Sequence, residues 1–495
     1  MINIIQYKKL CKLFDKVLLS KLITPNIVSN TWLHIQRPQG DFLEKYSHIF
    51  KKESITRFWI RMLKLVFRYT AISVFRLFQS ITIYRRHCDE ICSDGVDVLL
   101  VSHLVNSETN CEKDMYYYDV PDQLNNRGLS TMVALIDHNK IPKKLNNKSL
   151  VPRVLLKKTL SFVDELSLYF SQLRAVIFFN TGALGSFFNK RIRMEASIRM
   201  MSSGSFSSLR ISKQLSKIIS KVNPKYLVFT YEGHAWERLA CYEARQINPA
   251  IQCFAYQHSS VFAYQHSIKR ELLPAYNADV ILTSGSVAKD QFEVIFKLPK
   301  IPIYNIGSAK SHKFSINKIL PSESDTFLVI PEGIISECIA LFEFSLMCAK
   351  SLPNYKFIWR LHPIISFNQI FKKNNIFTNL PNNIYLSNKS LEKDIKSCDN
   401  VIYRGSTAVI NAINAGLRPI YYSEYGMIPN DLLFQKEKGK LIVSNVEDFR
   451  ALTSAPINKI DQKELIKFSN FFYTPLDYSM IISLFNKNKI NSEKS

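Results

Sequence analysis

Short, uninterrupted apolar runs alternate with helix-like stretches over most of this 495-residue chain, and that alternation restricts its fold more than any other feature. A run such as "YLVFTYEG" (226–233) has no polar face, so as a strand it must be covered on both sides. Similar runs occur at 96–104, 129–138, 173–182, 251–259 and 278–286, with helical patterns between them. A second series begins at "TFLVIPEG" (326–333) and continues through 355–363, 383–388, 400–406, 418–424 and 439–445. Strands of this kind separated by helices form parallel sheets with helices on both faces. The expected fold is therefore α/β, with two doubly wound units over 91–310 and 326–490 joined by a Pro/Ser/Lys-rich linker at 311–325. Residues 1–90 read as a helical N-terminal region.

In open parallel sheets ligands sit outside the carboxyl ends of the strands, so the residues there are the functional candidates. In the first series these are Glu232, Gly233 and His234, then Gln257 and His258. Glu232 offers a general base; the plainer role is a carboxylate at a helix start. Gly233 permits the sharp turn between strand and helix. "FAYQHS" occurs twice, at 254–259 and 262–267, and His258 is the copy that directly follows a strand. Trp236 and Leu239 sit at helical spacing and read as core. In the second series, "RLHP" presents Arg360, His362 and Pro363, the proline ending the ladder. "RGSTA" presents Arg404, Gly405, Ser406 and Thr407 before a helix, a place suited to an anion or to an ordinary N-cap.

"RLHP", followed by "RGSTA" and preceded by an acidic-Gly element, resembles bacterial GT-B transferases that use CMP-sugars, the sialyl-, polysialyl- and capsule Kdo transferases. "YEGHAWE…YQHS" is also similar to surface-carbohydrate biosynthesis proteins of O-antigen loci, over about 221–423. The resemblance implies two Rossmann-like domains facing a cleft, the first on the acceptor side and the second holding the nucleotide-sugar. It implies Glu232-Gly233 as the acidic element, His362-Pro363 and Ser406-Thr407 around CMP, and transfer of Kdo, sialic or another nonulosonic acid to a surface glycan. In this chain the paired acids of that family's element are reduced to Tyr231-Glu232, which leaves His234 and Asp137 as rival bases. Rival activities are polyol-phosphate transfer from a CDP-alcohol, transfer from a UDP- or GDP-sugar, and a non-catalytic membrane scaffold.

Charge adds a partner. The chain carries 65 Lys and Arg against 41 Asp and Glu, which favours anionic ligands or surfaces. The basic residues are scattered, without a nucleic-acid-binding signature, so nucleic acid is not an expected partner. Between 57 and 86 an apolar, aromatic stretch is interrupted by Arg61, Lys64, Arg68 and Arg76. That is too broken for a membrane span, and it suits either a basic amphipathic helix on an anionic membrane or a core helix with snorkelling arginines. Nine cysteines without a CxxC pair, and a first segment lacking a signal-peptide core, lead to a cytoplasmic expectation, with peripheral association at the inner face of the membrane. No DxD-like cluster calls for a metal, so none is expected, and no other cofactor is.

Overall fold

The computed structural model describes residues 2–82, 95–105, 113–139, 149–298, 301–313, 325–456 and 458–492. Two parallel sheets organise the chain. The first contains β1 (Val98–Leu104), β2 (Thr131–Asp137), β3 (Arg153–Leu156), β4 (Tyr226–Thr230), β5 (Gln252–Gln257), β6 (Val280–Thr283) and β7 (Ile303–Asn305), in the order β3-β2-β1-β4-β5-β6-β7. The second contains β8 (Thr326–Pro331), β9 (Lys356–Trp359), β10 (Ile384–Leu386), β11 (Asn400–Arg404), β12 (Arg418–Tyr422) and β13 (Leu441–Val443), in the order β10-β9-β8-β11-β12-β13. The architecture is α/β, two doubly wound parallel sheets flanked by helices. Alternate residues of each central strand feed opposite cores: Leu227 and Phe229 enter one layer, Tyr226 and Val228 the other. This two-sided burial is why those strands read as unbroken apolar runs.

In each sheet the strand order reverses once, between β1 and β4 and between β8 and β11. Such reversals leave a crevice at the carboxyl ends where adjoining connections run to opposite faces.

Three departures from the sequence reading matter. Residues 173–182, expected as a buried strand, belong to the helix Phe162–Thr181, whose apolar residues Phe170, Ile177 and Phe178 are exposed. The N-terminal region contains the helices Ile4–Leu18 and Ile55–Thr82, but 29–39 is non-helical and runs between the two sheets. The last helix, Tyr478–Ser492, packs on the first sheet: Ile481, Leu484 and Phe485 join its core, and the Tyr226 hydroxyl donates to the Phe485 carbonyl at 2.7 Å. Most of the expected linker, 314–324, lies outside the described residues.

Candidate active site

Strand register brings Glu232 and His258 together. β4 and β5 pair with Thr230 beside Tyr256, and the Tyr231 N–H donates to the Tyr256 carbonyl at 2.8 Å. The chain then turns at Gly233 (φ +85°), where a Cβ would strike the backbone of Ser267 and Ile268. The N–H groups of Glu232, Gly233 and His234 donate to the Glu237 carboxylate at 3.0, 2.8 and 2.9 Å. Glu237 thus takes the helix-start role, and the Glu232 carboxylate is left to face the opposite unit. Its Oε2 lies 3.3 Å from His234 Nε2, and its Oε1 lies 3.6 Å from His258 Nε2 and 3.9 Å from Arg37 Nη2. Burial raises its pKa, but His234, His258 and Arg37 outweigh it and hold the carboxyl well below its usual range. Burial lowers His234, yet its bond to Glu232 lifts the imidazole above its ordinary value. Burial takes His258 down to about 4, against the pull of Glu232.

The second sheet repeats the construction. β8 and β11 pair with Pro331 beside Arg404, so Glu332 and Gly405 emerge side by side. Gly405 has φ +71°, and a Cβ there would collide with the Asn430 amide and the Glu332 carboxylate. Glu332 accepts hydrogen bonds from Arg37 Nη1 at 2.6 Å, from Asn430 Nδ2 at 3.0 Å and from the Gln39 amide. Burial pushes it up to about 7, with Arg37 opposing. An added Cβ on the neighbouring Gly333 would lie 3.0 Å from His362 Cγ, which places that imidazole beside the same loop.

Arg37 therefore sits between two glutamates at the two switch points. It comes from the N-terminal segment 29–39, which also brings Gln36 to His234 Nδ1 and Gln39 to Glu332. On β1, at the first switch point, His103 bonds Thr230 Oγ1 and His138 Nε2, each at 2.8 Å. Burial lowers it to about 3, so it is neutral and positions the end of β4. Several buried polar atoms around this centre have no protein partner among the described residues: both amide atoms of Gln257, His258 Nδ1, Gln39 Oε1 and Asn430 Oδ1. Unpaired groups of this kind mark a place where a polar ligand or water completes the network.

The expected residues divide into two sets. Glu232, Gly233, His234, Gln257 and His258 gather on one wall, with His362, Gly405, Ser406 and Thr407 at strand ends on the other. Thr407 is exposed and precedes the helix Ala408–Asn414 without capping it through its side chain. Arg404 is instead buried against Glu337 at 2.6 Å, where it braces the loop and has no free face for a donor. Arg360 turns toward Asp394 at 2.8 Å, and Pro363 is exposed beyond His362. Asp137 binds Asn139 and approaches Lys158 at 3.9 Å, outside the contacts of Glu232. Trp236 and Leu239 are core residues.

Sequence reasoning missed Glu332, Arg37 and Asn430. Glu332 did carry a signal: "PEG" at the end of β8 repeats "YEG" after β4. Arg37 carried none, because its segment lay in a region read as helical.

No family model and no curated protein matches the chain. Solved structures to which it is similar include the Staphylococcus aureus MnaA–UDP co-structure (10% identity, 80% of this chain and 97% of that one, TM-score 0.46). They also include MurG of Acinetobacter baumannii (12%, 79% and 99%, 0.42) and the glycosyltransferase SnogD of Streptomyces nogalater (11%, 79% and 100%, 0.42).

Proposed function

We propose that this chain is a glycosyltransferase that moves a sugar from a nucleotide-sugar donor to a carbohydrate acceptor. One observation carries the reading: two Glu-Gly strand ends at facing switch points share Arg37, and one glutamate is held ionised while the other keeps its proton to about pH 7. Pairs of titratable groups pushed apart by environment divide acid and base roles.

The donor nucleotide lies along the second unit, near His362, Ser406 and Thr407. The acceptor hydroxyl lies against the first wall. As its oxygen bonds to the anomeric carbon, its proton passes to the Glu232–His234 pair. The bond from anomeric carbon to phosphate oxygen breaks, and the nucleotide leaves with the electron pair. Protonated Glu332 donates to the departing or sugar oxygen, while Arg37 balances the charge. The work is positioning and electrostatic stabilisation. The histidine-proline and hydroxyl-pair motifs favour a CMP-linked acidic sugar such as Kdo or a sialic acid, bound for a bacterial surface glycan.

A thermal-shift series with CMP, CDP, UDP and GDP tests this. Stabilisation by CMP that disappears in His362→Ala supports the full reading. A response to UDP or GDP alone keeps glycosyl transfer and removes the cytidine donor. Indifference to every nucleotide overturns it.

A further inference from the structure

The helix Ile55–Thr82 is packed with its apolar side outward. Its buried stripe is narrow and partly polar: Phe58, Met62, Tyr69, Ser73 and Ser80. The larger hydrophobics lie on the opposite face, with Leu63, Phe67, Phe75 and Phe78 exposed by 65%, 77%, 58% and 66%. A soluble helix normally shows the reverse arrangement. Beside it packs Phe162–Thr181, which exposes Val163, Phe170 and Ile177 while its buried residues face the same layer of helices. Two neighbouring helices thus turn bare apolar arcs away from the body. Together they exceed the scattered apolar exposure expected of a free surface.

Charge identifies what covers this face. The helix Ile55–Thr82 contains no Asp or Glu. Arg57, Lys64 and Arg68, all exposed, fall at helical spacing along one flank of the apolar arc. The nearby acids are already paired: Glu195 with Arg61 and Arg199 at 2.7 and 2.6 Å and Glu165 with Arg210 at 2.7 Å, both carboxylates buried, and Asp164 with the exposed Lys217 at 2.6 Å. An apolar face with an unbalanced cationic border complements an anionic lipid surface. Among the described residues no helix is long and apolar enough to cross a membrane.

We infer that the paired helices Ile55–Thr82 and Phe162–Thr181 form a platform that docks flat on an anionic lipid bilayer, the aromatic arc in the acyl boundary and Arg57, Lys64 and Arg68 at the headgroups. The inference does not depend on the reaction proposed above. It also explains why residues 173–182 look like a buried strand: Ala175, Val176 and Phe179 serve the protein core, while Ile177 and Phe178 are left for lipid.

The test is flotation of the full chain with phosphatidylcholine vesicles and with vesicles of phosphatidylcholine and phosphatidylglycerol at 3:1. The expected result is co-flotation with the anionic vesicles only, weakening roughly ten-fold or more as salt rises. Phe67→Glu with Phe75→Glu abolishes it, and the triple Arg57→Glu, Lys64→Glu, Arg68→Glu weakens it at least as much as salt. Both variants alter exposed positions and keep the thermal midpoint of the parent. Failure of the parent to float with anionic vesicles overturns the proposal, as does flotation unchanged in both variants. A stable oligomer that Phe67→Glu with Phe75→Glu dissociates also overturns it, because a second copy would then be the occupant.

Discussion

Glu232 and Glu332 end equivalent strands of the two sheets, each followed by glycine, yet their surroundings give them opposite protonation. Glu232 meets two imidazoles and the far side of the Arg37 guanidinium, and is held ionised. Glu332 is more deeply buried, meets two amides and one guanidinium nitrogen, and is pushed up to about 7. Amides can serve either form, since a turned Gln39 or Asn430 accepts from a carboxylic acid, and both have an unpaired oxygen. Charged neighbours cannot adapt in this way. The lesson is that a motif delivers a carboxyl group to a site, while its neighbours decide whether it gives or takes a proton.

The comparison breaks most readily at Glu232. Glu232→Gln keeps the shape and removes the charge, and is expected to lower kcat by about 10²–10⁴ while nucleotide-induced stabilisation persists. Glu332→Gln keeps a hydrogen-bond donor but has no proton to give, so it should lower kcat roughly ten-fold or more at pH 6 and remove the fall of activity above about pH 7. Identical pH profiles for Glu232→Gln and Glu332→Gln would end the division of roles.

Stability offers a second test of Glu332. Its folded pKa lies above the unfolded value, so the folded state holds a proton that the unfolded chain has lost. Stability is full below about pH 4.5 and falls as pH rises through about 7, by about 3 kcal/mol in total. Unfolding curves of Glu332→Gln across pH 5–8 should lack that slope.

Glu195 provides the contrast of opposite sign. Burial raises it, but His48, Arg199 and Arg61 take it down to about 2. Its contribution is therefore present above about pH 4.5 and lost as pH falls toward 2, by about 3 kcal/mol, and Glu195→Gln should flatten that acid limb in chemical-denaturation curves.

The smallest effects separate the two copies of "FAYQHS". His258 approaches Glu232, whereas His266 bonds the carboxylate of Asp15 on the helix Ile4–Leu18 at 2.9 Å. His266→Ala should cost about 1 kcal/mol of stability and spare kcat. His258→Ala should lower kcat roughly ten-fold or more, because it removes the imidazole that lies 3.6 Å from Glu232 and helps to hold its carboxylate in place.

Much of this was legible in the chain. Fully buried strands have to be continuous apolar runs, so β1, β4, β5, β8 and β11 announced themselves, along with the carboxylate, histidine and hydroxyl groups at their ends. The helix Phe162–Thr181 misled for the same reason, since an apolar run states that water is unwelcome without stating what replaces it. Arg404 and Arg360 look like anion binders in "RGSTA" and "RLHP", but Glu337 and Asp394, distant in sequence, claim them. Arg37 was invisible because a chain passing between two sheets has no periodicity of its own.

By itself the sequence determined the α/β class, the two-unit plan and the Glu-Gly, His-Pro and Ser-Thr groups at strand ends, because these follow from local periodicity and turn chemistry. Only the tertiary structure decided which strands flank each switch point, that Arg37 joins the two walls and that the two glutamates differ in charge. Those depend on strand register and on burial among residues hundreds of positions apart, and no local pattern encodes either.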